Sequence, residues 1–306
     1  MQIFPSTVLE LDYWLSLYQL PYKDLSSIAN RYRREYFDQN LDYCSIINAK
    51  SGKCSEDCRF CAQSLHYKTG VQEYSYLKPE KILQLAREME SKGVEHFSMV
   101  TSGRAVTNSL LKKLLPIYEL LKKETSLKLC ASHGLLNEAQ AFALKQAGVN
   151  RYHHNLESSR SYYSKICTTH NLDDRIDTVK AAKLAGMEVC CGGIIGLGEN
   201  VAQRIELALE ISQLNVDSIP LNFLMPVDGT PMEKTPKLHI GEILKILALF
   251  RIINPRTEIR IAGGRQLLIG YEKEMLKAGI SGLMVGNYLT TNGIDPAQDL
   301  KLKHRD

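Results

Sequence analysis

The sequence predicts an α/β fold, a (β/α)8 TIM-type barrel with an N-terminal helical extension. The main evidence is a pattern that recurs along the chain: a helix, a glycine and then a short apolar strand, around Gly93, Gly148, Gly186 and Gly279. A glycine just past a helix can supply the left-handed residue that ends it. Short apolar strands are typical of a parallel sheet that is covered on both faces. Repeated units of this kind favour a barrel, with a doubly wound open sheet as the alternative.

The predicted elements follow one another without a linker. Residues 1–40 read as two helices, the first capped by Ser6 and the second running over about 25–37. Eight strands are expected at about 43–48, 95–100, 127–131, 151–155, 187–193, 217–222, 258–262 and 282–285. We therefore assign 1–40 to the helical extension and 41–306 to the barrel. Chemistry in such barrels gathers at the carboxyl ends of the strands, so residues that follow the strands are the candidates for a site.

Composition excludes several functional classes. With 44% hydrophobic and 24% charged residues, the chain has the make-up of an ordinary globular protein. Its net charge of +4 comes from dispersed lysines and arginines, so we expect no nucleic-acid surface. We find neither an apolar run long enough for a membrane span nor a signal peptide, which predicts a cytoplasmic protein. Eight cysteines in that compartment indicate reduced thiols or metal ligands rather than a disulfide framework.

The most informative motif is a C-x3-C-x2-C run made by Cys54, Cys58 and Cys61, directly after the first predicted strand. Three thiolates at this spacing are typical ligands of iron–sulfur clusters. The nearest further cysteine, Cys44, precedes the run by ten residues and belongs to the strand. A cluster held by three cysteines keeps one iron open, as catalytic metal sites do. A zinc site or three reduced thiols without a metal is the alternative interpretation.

The run and its surroundings, from Asn48 to Ser64, resemble those of the biotin synthases, a branch of the radical S-adenosylmethionine (SAM) enzymes. The resemblance spans roughly residues 40–295. It implies a [4Fe–4S] cluster on the three cysteines, with SAM on the open iron. It also implies that electron transfer to SAM yields methionine and a 5′-deoxyadenosyl radical, which takes hydrogen from dethiobiotin. Sulfur from an auxiliary iron–sulfur cluster then enters to form biotin, under conditions that exclude oxygen.

Several segments at the ends of predicted strands resemble the SAM site of this family. The stretch 192–199 fits the glycine-rich element that contacts the adenine, and the stretch 153–157 fits the element that contacts the ribose. Two residues depart from the family pattern, because His153 stands where Asn is common and Glu157 replaces Asp. Arg175 matches the arginine that pairs with the SAM carboxylate, a role suited to a bidentate guanidinium. The residues that the resemblance assigns to SAM are Phe60, Asn155, Glu157, Arg175, Ile194 and Met225.

The resemblance also assigns substrate residues. Those expected to contact dethiobiotin are His153, Asn155, Asn222, Thr290 and Thr291. From the residues alone, these are polar positions after strands, which are as often structural as functional.

The auxiliary cluster is where the sequence departs most from its relatives. Biotin synthases of the familiar type hold a [2Fe–2S] cluster with three strand cysteines and one arginine. Two of those cysteines match Cys130 and Cys190, and the arginine matches Arg260. The position of the third cysteine is occupied by Ser98 in this chain. Serine is a weaker ligand for iron, so we expect Cys44, on the neighbouring strand, to replace it. The expected auxiliary site, for a [2Fe–2S] cluster or one of higher nuclearity, is Cys44, Cys130, Cys190 and Arg260.

Other interpretations stay open. Cys191 is an alternative ligand, although side-chain alternation along a strand points it away from Cys190. The barrel cysteines could also be small apolar residues that fill a core, and we interpret Cys167 in that way. The second hypothesis is a related radical SAM enzyme of the hydrogenase-maturation or methylornithine-synthase branch; Ser98 keeps it open, and the matches at Asn222 and Arg260 count against it. A non-catalytic iron–sulfur or zinc-binding protein is the third. By resemblance we expect a homodimer and a flavodoxin or ferredoxin-type reductant.

Overall fold

A computed structural model describes residues 8–37 and 41–286, together with residues 289, 299 and 302. Nine parallel strand segments form the sheet: β1 (Asp42–Lys50), β2 (His96–Thr101), β3 (Lys128–Ser132), β4 (Val149–His153), β5 (Glu188–Cys190), β6 (Gly193–Ile195), β7 (Ser218–Phe223), β8 (Glu258–Ile261) and β9 (Gly282–Val285). β1 pairs with both β2 and β9, and β7 pairs with β5, β6 and β8. Because β5 also pairs with β4, the sheet closes on itself. The predicted barrel is confirmed, and the open sheet is excluded.

The fifth barrel strand is interrupted, whereas the sequence predicted one continuous strand. β5 and β6 keep the same register against β7, since Cys190 lies opposite Ser218 and Gly193 lies opposite Leu221. Between these pairs stands Pro220, which has no N–H to donate to the ladder. Gly192 approaches Pro220 so closely that an added Cβ would lie 1.9 Å from the Pro220 carbonyl oxygen. The two segments are therefore one strand of the barrel with a break at its centre.

Ten α-helices surround the sheet in the described part of the chain: α1 (Val8–Gln19), α2 (Tyr22–Tyr36), α3 (Pro79–Ser91), α4 (Asn108–Glu124), α5 (Glu138–Gln146), α6 (Arg160–Tyr163), α7 (Leu172–Leu184), α8 (Val201–Gln213), α9 (Ile240–Ile253) and α10 (Glu272–Lys277). Asparagine capping boxes begin α5, α7 and α8. Each satisfies free N–H groups of the first turn and so fixes where the helix starts. The four glycines of the recurring pattern all have positive φ, as the sequence predicted. No described helix is both long and apolar enough to cross a membrane.

The N-terminal helices pack against the outside of the barrel. Leu25 and Ala29 of α2 are fully buried in the common hydrophobic core. The Tyr22 hydroxyl donates to the carbonyl oxygen of Glu274 in α10 over 2.6 Å. α2 begins at Tyr22, three residues before its predicted start, and α1 begins at Val8. The predicted cap Ser6 lies outside the described residues.

A fully buried arginine ties α9 to the bottom of the barrel. Arg251 donates from Nε to the Gly279 carbonyl oxygen over 2.8 Å and from its guanidinium to the Thr257 carbonyl oxygen over 2.7 Å. It also donates to Ser281 Oγ over 3.0 Å. Burial lowers the pKa of Arg251 to about 9. These bonds join the end of α9 to the segments that lead into β8 and β9.

We predict that Arg251→Met destabilises the protein, because several buried carbonyl oxygens lose their donor. Each buried acceptor left unpaired costs about 1–3 kcal/mol, so the loss should be roughly 3 kcal/mol or more. Urea unfolding followed by circular dichroism measures the change. The control is Arg256→Met at an exposed position, which should change the free energy of unfolding by about 0.5 kcal/mol or less. Equal unfolding midpoints for the two variants would contradict the structural role of Arg251.

Candidate active site

The three cysteines of the motif lie in a closed loop after β1. The Cys54 N–H donates to the Gln63 carbonyl oxygen over 3.0 Å, and the Leu65 N–H donates back to the Cys54 carbonyl oxygen over 2.8 Å. Inside the loop, the Cys61 N–H donates to the Cys58 carbonyl oxygen over 2.9 Å. Desolvation raises the pKa of Cys61 to about 11, and repulsion from Cys54 adds to the shift. Desolvation also raises the pKa of Cys54, so the loop holds these thiols in a poorly hydrated environment.

Two carboxylates inside the loop fasten it to the segment before α7. Asp57 accepts hydrogen bonds from the N–H groups of Thr168 (2.9 Å) and Thr169 (3.3 Å). Burial alone would raise the pKa of Asp57, but the hydrogen bonds from Thr168 outweigh it and the pKa is lowered. Glu56 Oε2 lies 2.6 Å from His170 Nδ1. The cysteine loop is therefore built against a second stretch of chain, about 110 residues away, that sequence reasoning did not connect with it.

Cys167, in this second stretch, contacts the motif directly. Its Sγ lies 3.8 Å from the Sγ of Cys58 and 3.2 Å from His170 Nδ1. Both cysteines are buried. The contact with Cys167, together with burial, raises the pKa of Cys58. Cys167 therefore packs in the core and also contacts Cys58 of the motif. No pattern in the sequence indicates this contact.

Beneath the loop, the barrel encloses a cavity of about 340 Å³. Residues at or after the ends of strands line its mouth: Phe60, Cys61, His153, Asn155, Glu157, Ile194, Asn222 and Met225. Residues early in the strands line its floor: Cys44, Ser98, Cys130, Arg151, Cys190 and Arg260. One cavity therefore contains most of the predicted SAM, substrate and auxiliary-cluster residues.

The remaining predicted residues lie elsewhere. Arg175 lies behind the wall of the cavity, and Cys191 is buried in the hydrophobic core between the barrel and its helices. The predicted residues Thr290 and Thr291 lie outside the described residues. Leu289, which is described, lines the cavity, and its carbonyl oxygen accepts a hydrogen bond from Asn48 over 3.1 Å.

At the mouth, the end of β4 is bonded to the break between β5 and β6. The Asn155 side chain accepts from the Gly192 N–H over 3.1 Å and donates to Glu157 Oε2 over 3.2 Å. Glu157 has a φ of 69°, and its carbonyl oxygen accepts from the Ile194 N–H over 2.9 Å. A non-glycine residue in this region of φ is held there by its surroundings. These bonds place the Glu157 carboxylate beside the apolar Ile194 in the cavity wall.

Arg175, on α7, supports this arrangement from behind. It donates to the Tyr163 hydroxyl over 2.7 Å and to the Asn155 carbonyl oxygen over 2.9 Å. Its guanidinium also lies 3.6 Å from Glu157 Oε1. Burial alone would lower the pKa of Arg175, but the charge of Glu157 raises it, so the group stays cationic. A fixed positive charge therefore stands next to the mouth of the cavity.

His153 ends β4, and His154 follows it. His153 lines the cavity, and desolvation lowers its pKa to about 4. His154 is buried on the other side of the strand, where desolvation lowers its pKa well below the ordinary value. At neutral pH both rings are uncharged, so His153 offers the cavity a neutral hydrogen-bonding group.

The floor of the cavity carries two buried guanidinium groups. Arg260 donates to Asp42 over 2.6 Å, to Ser218 Oγ over 3.1 Å and to Glu258. Burial opposes its charge, but the Glu258 carboxylate outweighs this and holds the pKa of Arg260 well above the ordinary value. Arg151, from β4, donates to Glu188 over 2.8 Å and lies 3.6 Å from Glu258.

Neither a motif nor the family resemblance pointed to Arg151. An arginine inside the short strand β4 was the available signal, because a buried charge needs a partner. Arg260, by contrast, was assigned from the family resemblance.

The floor also shows how the serine and the cysteines are arranged. Ser98 on β2 lies directly opposite Cys130 on β3. On β1, Ile46 is the residue opposite Ser98, so Cys44 stands two residues deeper on the neighbouring strand. Burial raises the pKa of Cys44 to about 12, and the charge of Arg260 works against that shift. Three thiols and two cationic groups around one void suit a cluster with thiolate ligands and a net negative charge.

The chain is similar to known proteins over most of its length. The sequence matches the Radical SAM superfamily over residues 49–211 and the Biotin and Thiamin Synthesis associated domain over residues 220–305. A biotin synthase from Acetivibrio thermocellus is 52% identical over 278 residues, which cover 91% of this chain and 87% of the relative. A biotin synthase from Clostridium tetani is 48% identical over 292 residues, which cover 94% of this chain and 90% of the relative.

More distant solved structures share the fold. A methylornithine synthase superposes with a TM-score of 0.77 at 20% identity, over 92% of this chain and 82% of that one. The FeFe-hydrogenase maturase from Carboxydothermus hydrogenoformans gives 0.77 at 17% identity, over 92% and 67%. These two represent the branches that Ser98 had kept open, and their identity is less than half that of the biotin synthases. The chain belongs to the biotin synthase family of radical SAM enzymes.

Proposed function

We propose that sulfur is inserted into dethiobiotin inside the barrel cavity, between the cysteine loop at its mouth and the cysteines at its floor. One observation carries this assignment: a single cavity connects Cys61 with Cys44, Cys130 and Cys190. The cofactors of the family are a [4Fe–4S] cluster, SAM and an auxiliary iron–sulfur cluster, which together supply the electron, the radical precursor and the sulfur. The protein positions them and keeps water away.

We propose that Cys54, Cys58 and Cys61 hold the [4Fe–4S] cluster. Their loop is closed by main-chain hydrogen bonds and fastened through Asp57 and Glu56, so the ligands are positioned before iron binds. Such preorganisation reduces the cost of assembling a metal site. Cys61 lines the cavity and therefore directs this site toward the substrate region.

For SAM we propose the wall formed by the ends of β4 and β6. The Glu157 carboxylate can accept hydrogen bonds from ribose hydroxyls, and Asn155 keeps it in place. Apolar surface for an adenine comes from Ile194, with Phe60 and Met225 in the same cavity. Arg175 stands behind this wall and stabilises it through the bond to the Asn155 carbonyl oxygen. Its proposed pairing with the SAM carboxylate rests on the family resemblance alone.

For dethiobiotin we propose His153, Asn155 and Asn222, with Thr290 and Thr291. The Asn222 amide donates to the Gly193 carbonyl oxygen over 3.2 Å and accepts from the Gly263 N–H over 2.8 Å. These bonds fix its orientation at the cavity. The neutral ring of His153 can hydrogen-bond to an uncharged group, such as the ureido ring of dethiobiotin.

For the auxiliary cluster we propose Cys44, Cys130 and Cys190 as thiolate ligands, with Arg260 beside them. Arg260 and Arg151 supply the positive charge that three buried thiolates need. Ser98 occupies the place opposite Cys130 where the familiar type has a cysteine. A [2Fe–2S] cluster or one of higher nuclearity is compatible with this arrangement.

The remaining proposals concern organisation and partners. Residues 1–40 act as a helical extension of the barrel at 41–306, since α2 packs on the outside of the barrel. A flavodoxin or ferredoxin-type protein is the reductant, the chain forms a homodimer, and it works in the cytoplasm. The last three of these proposals rest on the family resemblance and on the sequence.

The test of the proposed function is an anaerobic single-turnover assay with reconstituted protein, SAM, dethiobiotin and a strong reductant. Mass spectrometry follows 5′-deoxyadenosine and biotin together. We expect both products from the wild type. Cys130→Ala and Cys190→Ala should still form 5′-deoxyadenosine but lose most of the biotin, because only the sulfur source is removed. Cys191→Ala, which changes a buried thiol outside the cavity, is the matched control and should retain both products.

Biotin at the wild-type yield from the Cys130→Ala and Cys190→Ala variants would contradict the auxiliary site. Neither product from wild-type protein with a full [4Fe–4S] cluster would contradict the proposed reaction itself.

A second prediction concerns Arg151. Replacing it by methionine removes one of two positive charges from the floor. Glu188 and Glu258 then lose a cationic partner. We expect Arg151→Met to assemble the [4Fe–4S] cluster but to lose iron and sulfide of the auxiliary cluster. Arg151→Lys keeps the charge and should retain more of both. Iron and sulfide analysis with electron paramagnetic resonance checks this, and full auxiliary loading in Arg151→Met would show that Arg260 suffices.

A further inference from the structure

The contact between Cys58 and Cys167 joins a proposed cluster ligand to a thiol that the reaction does not use. Their sulfur atoms lie 3.8 Å apart. In a disulfide the two sulfurs are about 2.05 Å apart, so they would have to approach by about 1.8 Å. Cys58 and Cys167 are 109 residues apart in sequence, and both are buried.

Main-chain hydrogen bonds around the two thiols fix their relative positions. The Arg59 N–H donates to the Ile166 carbonyl oxygen over 2.9 Å, so the residue after Cys58 is bonded to the residue before Cys167. Asp57 clamps the N–H groups of the two residues that follow Cys167. These bonds surround the thiol pair on both sides. Two thiols fixed in this way lose little further conformational freedom when they form a bond.

We propose that Cys58 and Cys167 form a reversible disulfide when the [4Fe–4S] cluster is lost under oxidising conditions. With a peroxide as oxidant, the two S–H bonds and the O–O bond break, one S–S bond forms, and two molecules of water leave. The thiols give up two electrons and two protons, and hydrogen peroxide takes up both. The proposal rests on the proposed function only in taking Cys58 as a cluster ligand.

The disulfide gives Cys58 a protected state. A free cysteine exposed to peroxide passes through sulfenic acid to sulfinic and sulfonic acids, which are not restored by ordinary thiols. A neighbouring thiol diverts the sulfenic acid to a disulfide, which thiols reduce. Cys167 would therefore act as a resolving cysteine for this ligand, and cluster assembly could resume after reduction.

The test uses full-length protein, purified with its clusters and then stripped of iron anaerobically with a chelator. Hydrogen peroxide is added, free thiols are alkylated, and tryptic peptides are analysed by mass spectrometry. Trypsin releases residues 54–59 with Cys58 and residues 166–175 with Cys167. We expect these two peptides to be linked, lighter by two hydrogens than their sum, and separated by dithiothreitol. Fragmentation between Cys54 and Cys58 locates the linked residue.

A second measurement compares cluster reassembly after peroxide and dithiothreitol. Wild type and the control Cys191→Ala should regain the absorbance of the [4Fe–4S] cluster, whereas Cys167→Ala should lose most of it and carry sulfinic acid on Cys58. Linkage of Cys58 to Cys54 or Cys61, with Cys167 alkylated, would overturn the proposal. So would equal reassembly in Cys167→Ala. The linkage is read in iron-free protein, so it holds or fails independently of the biotin assay.

Discussion

Burial of two guanidinium groups at the floor of the barrel is the constraint on which the site depends. An unpaired charge in such a place costs several kcal/mol, so each arginine requires carboxylates within reach. Asp42, Glu188 and Glu258 supply them from β1, β5 and β8. The ion pairs therefore tie together strands from different parts of the closed sheet. They also place positive charge next to the thiols of Cys44, Cys130 and Cys190, where the proposed auxiliary cluster needs it.

Above this floor, the chemistry is separated along the axis of the barrel. Early strand positions carry thiols and cations, and positions after the strands carry the cysteine loop, Asn155 and Glu157. The separation follows from the parallel sheet, because all its strands end at the same rim. In the proposed reaction, the substrate lies between the radical source at the mouth and the sulfur source at the floor.

Local patterns in the sequence predicted much of the fold. Helix ends at glycines and short apolar strands are determined by residues that are close in sequence, so they can be predicted locally. The barrel and the order of its strands were inferred from these local features. The break between β5 and β6 was missed, because it arises from Pro220 on the next strand and not from the residues at the break. For α2, the predicted start was three residues late, whereas the predicted end was one residue from the observed end.

The site residues that could be predicted are those that belong to a motif or match the family pattern. The cavity gathers the predicted residues of the mouth and the floor, whereas the support around them depends on distant contacts. Cys167 meets Cys58 where Asp57, Glu56 and the Arg59 N–H bind the segment before α7. Arg151 could have been found from its place in a short buried strand. Arg175 proved to lie behind Asn155 and Glu157, a position that its helix alone does not reveal.

We propose that Cys44 supplies the thiolate ligand that is lost where Ser98 replaces a cysteine. The most direct measurement is Mössbauer spectroscopy with iron analysis on protein in which Cys54, Cys58 and Cys61 are all replaced by alanine, so that only the auxiliary cluster can hold iron. Adding Cys44→Ala to this background should remove the remaining cluster, and adding Ser98→Ala should leave it in place. A cluster that survives Cys44→Ala but is lost with Ser98→Ala would contradict the account.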